Sequence, residues 1–321
     1  MDGKKGEIAI KKLIRNNSAL AGVIEALLLI ALVALILSII QMNYIPSIMS
    51  ERESDHMDVV EKQFSQLKST IEMQSIMGSI DTDNPVVYSM LSSPITLGSN
   101  RLPYFVTMGA RGDIVINDRD DVTDYKIKFN PMSITEYDAS GIPLTSIEYT
   151  AYNHYYLNGR TLKYILEGGA IILNQSNMGE VMKAGPAISV ENRSDNGYIK
   201  IYWDIPVFIG AEGKKRSATE FSNCYVRTNY SGHNTHTDSA TSSIKILTKH
   251  LDVWYEYLAS NTEGLFHEYI ENGYVDVDIV NYDDMDPGSP LCVRIQPVAP
   301  YDLRVAVTVV KIGAQTGPGV T

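Results

Sequence analysis

Residues Ala19 to Ile40 read ALAGVIEALLLIALVALILSII, and Glu25 is the only charge among them. At roughly 1.5 Å per residue the run makes a helix of about 33 Å, long enough to cross a hydrocarbon layer about 30 Å thick. A buried core helix is the competing reading, but soluble helices keep a polar face and this run has none. Lys4, Lys5, Lys11, Lys12 and Arg15 precede the run, against only Asp2 and Glu7. That excess of positive charge predicts a cytoplasmic N-terminus and an exterior location for everything after the span. A secretory signal peptide would be shorter and would end in a small-residue cleavage site. Here the chain continues through Gln41-Met42-Asn43-Tyr44-Ile45-Pro46 without one, so the segment is expected to be retained.

From Ser47 to about Met77 the sequence turns polar but stays periodic. Met57, Val60, Phe64, Leu67 and Ile71 fall at alternating spacings of three and four, an apolar stripe along one helical face. Glu51, Arg52, Asp58, Glu61, Lys62 and Lys68 occupy the other faces. Pro46 is tolerated at a membrane-edge helix and is where a bend is expected. The reading is one long helix, apolar all round in its first half and amphipathic in its second. A juxtamembrane coiled-coil stalk is the alternative for the second half.

With Asn17-Ser18-Ala19-Leu20-Ala21-Gly22-Val23-Ile24-Glu25-Ala26 following Lys11-Lys12-Leu13-Ile14-Arg15, the N-terminus resembles archaeal type IV pilins and pilin-like proteins. The specific likeness, to a class III prepilin N-terminus, covers residues 11 to about 45. It implies a prepilin peptidase cut between Asn16 and Asn17, storage of the helix in membrane lipid, and later burial against itself or other pilin-like subunits. The family pattern has Gly or Ala before the cut, where this chain has Asn16, and a proline where it has Ala19. Glu25 is the intramembrane assembly candidate, because a carboxylate in hydrocarbon demands a partner or a route to the headgroups. The segment from Tyr164 to Gln175 looks weakly like the exterior domains of pilin-like proteins.

The 321 residues are 44% apolar and 20% charged, which is compatible with a packed core, and the net charge of −11 argues against a nucleic-acid partner. Tyr is over-used, 20 against 6 Phe and 2 Trp, which suits half-exposed β-surface. Asp81 to Pro85 should end the long helix. Beyond it, short alternating runs recur at 113–116, 126–129, 146–149, 198–203, 274–280, 292–295 and 303–310. With Asn158-Gly159 and Asn196-Gly197 as turn signals, these predict antiparallel hairpins. One helix is expected over Lys249 to Ser260, where Leu251, Trp254, Tyr255 and Leu258 share a face. The expected fold is α+β: a long N-terminal α-helix, transmembrane and then amphipathic, followed by a mostly antiparallel β-sandwich-like exterior domain. The expected organisation is a basic leader (1–16), the long helix (17–80, span about 19–42), the exterior domain (81–313) and a flexible tail (314–321).

Cys224 and Cys292 both fall on the predicted exterior side, where a disulfide would persist if they meet. Asn174, Asn192 and Asn229 each begin an N-x-[ST] triplet and are glycosylation candidates. His233-Asn234-Thr235-His236 with Asp238 reads as a Ser/Thr-rich loop before it reads as a metal site. Asp283-Asp284-Met285-Asp286 lacks the spacing of a calcium loop and reads as a solvated turn. No nucleophile elbow, zinc-protease, P-loop or dinucleotide motif occurs in the sequence. The expectation is therefore a non-enzymatic surface protein without metal or cofactor, a filament subunit or minor pilin. A non-polymerising single-pass anchor carrying an exterior binding domain is the alternative, ahead of an anchored hydrolase.

Overall fold

The computed structural model describes residues 3–80, 90–99, 109–119, 124–131, 137, 141–210, 216–220, 223–283 and 285–318. The chain divides into two units, residues 1–52 and 53–321. The first is helical. Helix α1 spans Gly3–Ile39, a π-turn covers Ile40–Tyr44, and α2 starts at Ile45 and runs to Ile80 within the second unit. The wide turn has a local cause: Pro46 has no N–H for the carbonyl of Met42, and its ring crowds that carbonyl. The Ile45 N–H donates five residues back, to the carbonyl of Ile40. The stop signal at Asp81 to Pro85 lies outside the described residues, though α2 ends directly before it.

Among the described residues the second unit is a mostly antiparallel β-rich domain of three sheets. Its first strands are β1 (Leu91–Thr96), β2 (Arg111–Asn117), β3 (Lys126–Asn130), β4 (Ile142–Pro143) and β5 (Ser146–Tyr152). Next come β6 (Thr161–Glu167), β7 (Ala170–Gln175), β8 (Gly179–Ala184), β9 (Ala187–Arg193) and β10 (Tyr198–Gly210). Strands β11 (Ser217–Glu220), β12 (Asn223–Thr241) and β13 (Ser243–Leu247) precede helices α3 (Leu251–Ala259) and α4 (His267–Glu271). Strands β14 (Val275–Asn281), β15 (Leu291–Pro297) and β16 (Asp302–Pro318) close the order. The sheets run β1-β12-β16-β10-β9, β11-β2-β5-β6-β7-β8 and β14-β15-β13-β3-β4.

Every predicted alternating run lies in a strand except for Tyr274, which directly precedes β14, and the predicted helix is α3. Asn158-Gly159 and Asn196-Gly197 close the β5–β6 and β9–β10 hairpins as expected. The β6–β7 turn is Gly168-Gly169, with φ of 56° and 86°. Two consecutive left-handed residues make the tight hairpin turn whose twist matches its strands, and glycine adopts that conformation without strain.

Two apolar clusters share the sheets. In one, Met57, Val60, Phe64, Leu67 and Ile71 of α2 meet Ile114 of β2, Tyr149 of β5, Leu166 of β6 and Ile312 of β16. In the other, Trp254 of α3 and the third sheet meet Ile199 to Val207 of β10 and Leu303 to Val309 of β16. Strands β6 and β7 contribute to both: Leu166 and Ile171 face α2, while Ile165 and Ile172 face the other cluster. Burial on both faces is why these strands are apolar at consecutive positions instead of alternating.

The one parallel pair among the described strands is β10–β16, over Tyr198–Gly210 and Asp302–Ala314: the chain returns along β12, adds β13 to β15 to the third sheet and re-enters at the end where β10 begins. Two sequence expectations are corrected. Residues 314–318, expected to be a flexible tail, continue β16 and pair with β12 up to Cys224–Pro318; Ala314 and Thr316 are buried. The His233–His236 segment, expected to be a loop, is strand β12 bonded to β16. Among the described residues this half of β12 pairs on one side only, because β1 stops opposite Thr228. A polar composition and bulges at 230–232 and 236–239 suit such an edge, since both discourage pairing with other chains.

Candidate functional site

The feature with the clearest physical demand is the apolar run of α1. Each of the twelve large aliphatic side chains from Val23 to Ile39 is at least 47% exposed, and Leu28 reaches 66%. If each leaves on the order of 90 Å² in water, the run forgoes about 25 kcal/mol at roughly 25 cal/mol per Å². The helix is long and apolar enough to cross a membrane. The one hydroxyl of the Val23–Ile39 run is satisfied from within: Ser38 Oγ donates to the Ala34 carbonyl at 2.8 Å. That arrangement costs nothing in hydrocarbon, where no water replaces a lost partner. Glu25 is exposed on this helix. Asn16 and Asn17 fall within α1, and their side chains lie outside the described residues.

From Glu53 onward α2 is fastened to the β-domain along both borders of its apolar stripe. Glu53 is fully buried, and its carboxylate accepts from three successive backbone N–H groups in the β5–β6 loop. The distances are 3.0 and 3.1 Å from His154, 2.8 Å from Tyr155 and 2.7 Å from Tyr156. Three turn amides converging on one carboxylate form an anion nest, filled here by the chain itself. Next, Tyr149 Oη donates to the Leu97 carbonyl at 3.0 Å, which leaves its oxygen to accept from His56 Nε2 at 2.9 Å. Burial pushes His56 down to about 4, so it is neutral, and pushes the Tyr149 hydroxyl up.

Further along, Gln63 clasps strand β1, donating to Thr96 Oγ1 at 2.9 Å and accepting from the Thr96 N–H at 2.8 Å. Tyr164 Oη donates to Glu61 at 2.8 Å, and Lys183 pairs with the same carboxylate at 3.2 Å. Burial, and then the Glu61 bond, push the Tyr164 hydroxyl up. Gln74 Nε2 reaches the Thr228 carbonyl at 2.9 Å. The sequence assigned Glu61 and Lys68 to a solvated surface and said nothing of Glu53, His56, Gln63 or Gln74. No periodic signal finds them, because their partners are backbone groups and hydroxyls 33 to 154 positions away.

A second buried polar group lies at the start of α3. Glu167 accepts from Thr248 Oγ1 at 2.7 Å and Trp254 Nε1 at 3.0 Å, and burial raises its carboxyl above the ordinary range. His250 Nδ1 lies 2.9 Å from Glu180, to which Asn174 also donates. These bonds tie β6, β7 and β8 to α3. Of the glycosylation candidates, Asn192 is exposed, whereas Asn174 and Asn229 are half-buried, Asn229 against Gly313. Cys224 lies in β12 of the first sheet and Cys292 in β15 of the third, both buried; the structure does not bring them together. Among the described residues no group of three His, Cys, Asp or Glu side chains is placed to hold a metal ion. His233 instead contacts Tyr230 Oη, while Asp283 and Asp286 accept backbone N–H groups of their own turn. Comparison with protein-family models, curated sequences and solved structures finds no match for this chain.

Proposed function

We propose that this chain is a pilin-like cell-surface protein, a filament subunit or minor pilin that assembles through its N-terminal helix. What carries the reading is the uninterrupted, outward-facing apolar run from Val23 to Ile39. A plain anchor needs such a helix in lipid only; a filament subunit needs it in lipid first and against equivalent helices afterwards. The basic leader supports a cytoplasmic start, with prepilin peptidase removing residues 1–16. Membrane lipid then holds the helix until it is transferred to its own kind. The acidic β-domain is displayed outwards for surface contact or adhesion. Strands β10 and β16 of its first sheet lend side chains to both apolar clusters, which supports a sandwich-like layering of that exterior domain.

N-terminal sequencing of the surface-exposed form, with sizing after slow removal of detergent, tests this. A start at Asn17 together with large ordered assemblies is the expected result. An intact Met1 on a particle that stays monomeric in detergent overturns it in favour of a single-pass anchored binding domain.

A further inference from the structure

A cleft of about 160 Å³ opens beside the last turns of α2. Ile71, Leu166 and Val310, all buried, form its floor, and Ile76 and Ala187 also line it. A dry apolar space of roughly 150 Å³ accommodates a benzene-sized body. Its rim is charged, and the charges are unequally engaged. The Lys68 ammonium is committed within the protein, donating to Glu72 at 2.5 Å and to the Gly169 carbonyl at 2.8 Å. Asp204, on β10, stands exposed at the mouth with the Thr308 hydroxyl as its hydrogen-bond donor. Desolvation at the cleft raises its carboxyl, and the Thr308 bond opposes the rise. A carboxylate in such a position is complementary to a cation whose remainder is apolar.

We propose that this cleft binds a small organic amine, its apolar body on Ile71, Leu166 and Val310 and its ammonium against Asp204. All of these residues belong to the second unit, so the site does not depend on polymerisation or on the membrane. Phenethylamine is the probe. It is titrated into the full-length protein in detergent micelles, labelled at isoleucine methyls, while the Ile71 and Ile76 resonances are followed. Saturable shifts at both are expected. Phenylacetate, which carries the same ring with the opposite charge, should bind about tenfold more weakly or worse. Asp204→Asn should weaken phenethylamine by a similar factor, and Ala187→Leu, which projects into the cleft, should abolish the shifts. Micelle partitioning of the amine is the same for every variant, so it cancels in the comparison. Shifts that never saturate, equal binding of phenylacetate, or an unchanged response in Asp204→Asn overturns the proposal.

Discussion

Glu53→Ala should release the β5–β6 loop from α2, and its cost follows from the contacts. The carboxylate holds three N–H groups at 2.7 to 3.1 Å. A hydrogen bond to a charged acceptor is worth about 1.5–3 kcal/mol, and a half-buried donor left without one keeps its desolvation cost. His154 is exposed and is rehydrated by water, so its share is small; Tyr155 and Tyr156 are half-buried. Counting those two at the lower end of that range, since water reaches half-buried donors in part, gives about 3–4 kcal/mol for the local structure. Hydrogen exchange reads this directly: the Tyr155 and Tyr156 amides should exchange roughly 10²- to 10³-fold faster in the variant, at about 1.4 kcal/mol per decade. Glu53→Gln should fall between, because its amide oxygen still accepts while its NH₂ opposes one of the donors. If the two amides exchange within about threefold of wild type in Glu53→Ala, the carboxylate is not what holds the turn.

Two further outcomes are expected. His56 sits near 4 in the fold against 6.5 when unfolded, so its contribution is complete above pH 6.5 and is lost as pH falls towards 4. About 3 kcal/mol is at stake, and the urea midpoint should drop between pH 7 and pH 4.5, with a shallower drop in His56→Gln. Leu32→Lys places a charge in the middle of the apolar run at a cost of about 2.5–3.5 kcal/mol. The fraction of protein surviving carbonate washing of membranes should fall sharply, whereas Leu32→Ala should leave it near wild type.

The parts of the fold legible from the sequence were those with a period. Met57, Val60, Phe64, Leu67 and Ile71 announce a helical face, and all five are buried as read. Tyr198 to Trp203 and Leu303 to Val310 announce strands by alternation. Pairing between distant strands carries no such mark, which is why residues 314–318 read as a tail: Gly and Pro at the end of a chain look like loop until β12 is known to lie beside them. Likewise the Ser/Thr/Asn/His composition of β12 describes its exposure at an edge and says nothing of its bonding. The candidate site divides in the same way. Hydrophobicity exposed the α1 run at once. Glu53 and His56 stayed hidden, because a single buried polar residue in an amphipathic helix looks like one more solvated position.

Strand β16 enters the first sheet between β12 and β10, both of which precede it in the chain. A nascent polypeptide can therefore order its helix and many of its hairpins, but the middle of that sheet stays a slot until residues 302–318 arrive to fill it. Both apolar clusters draw side chains from this one strand, so neither is sealed earlier. On the proposed exterior topology, where the domain crosses the membrane as an extended coil, such lateness is useful: the step that locks the architecture is deferred until threading has delivered its closing segment.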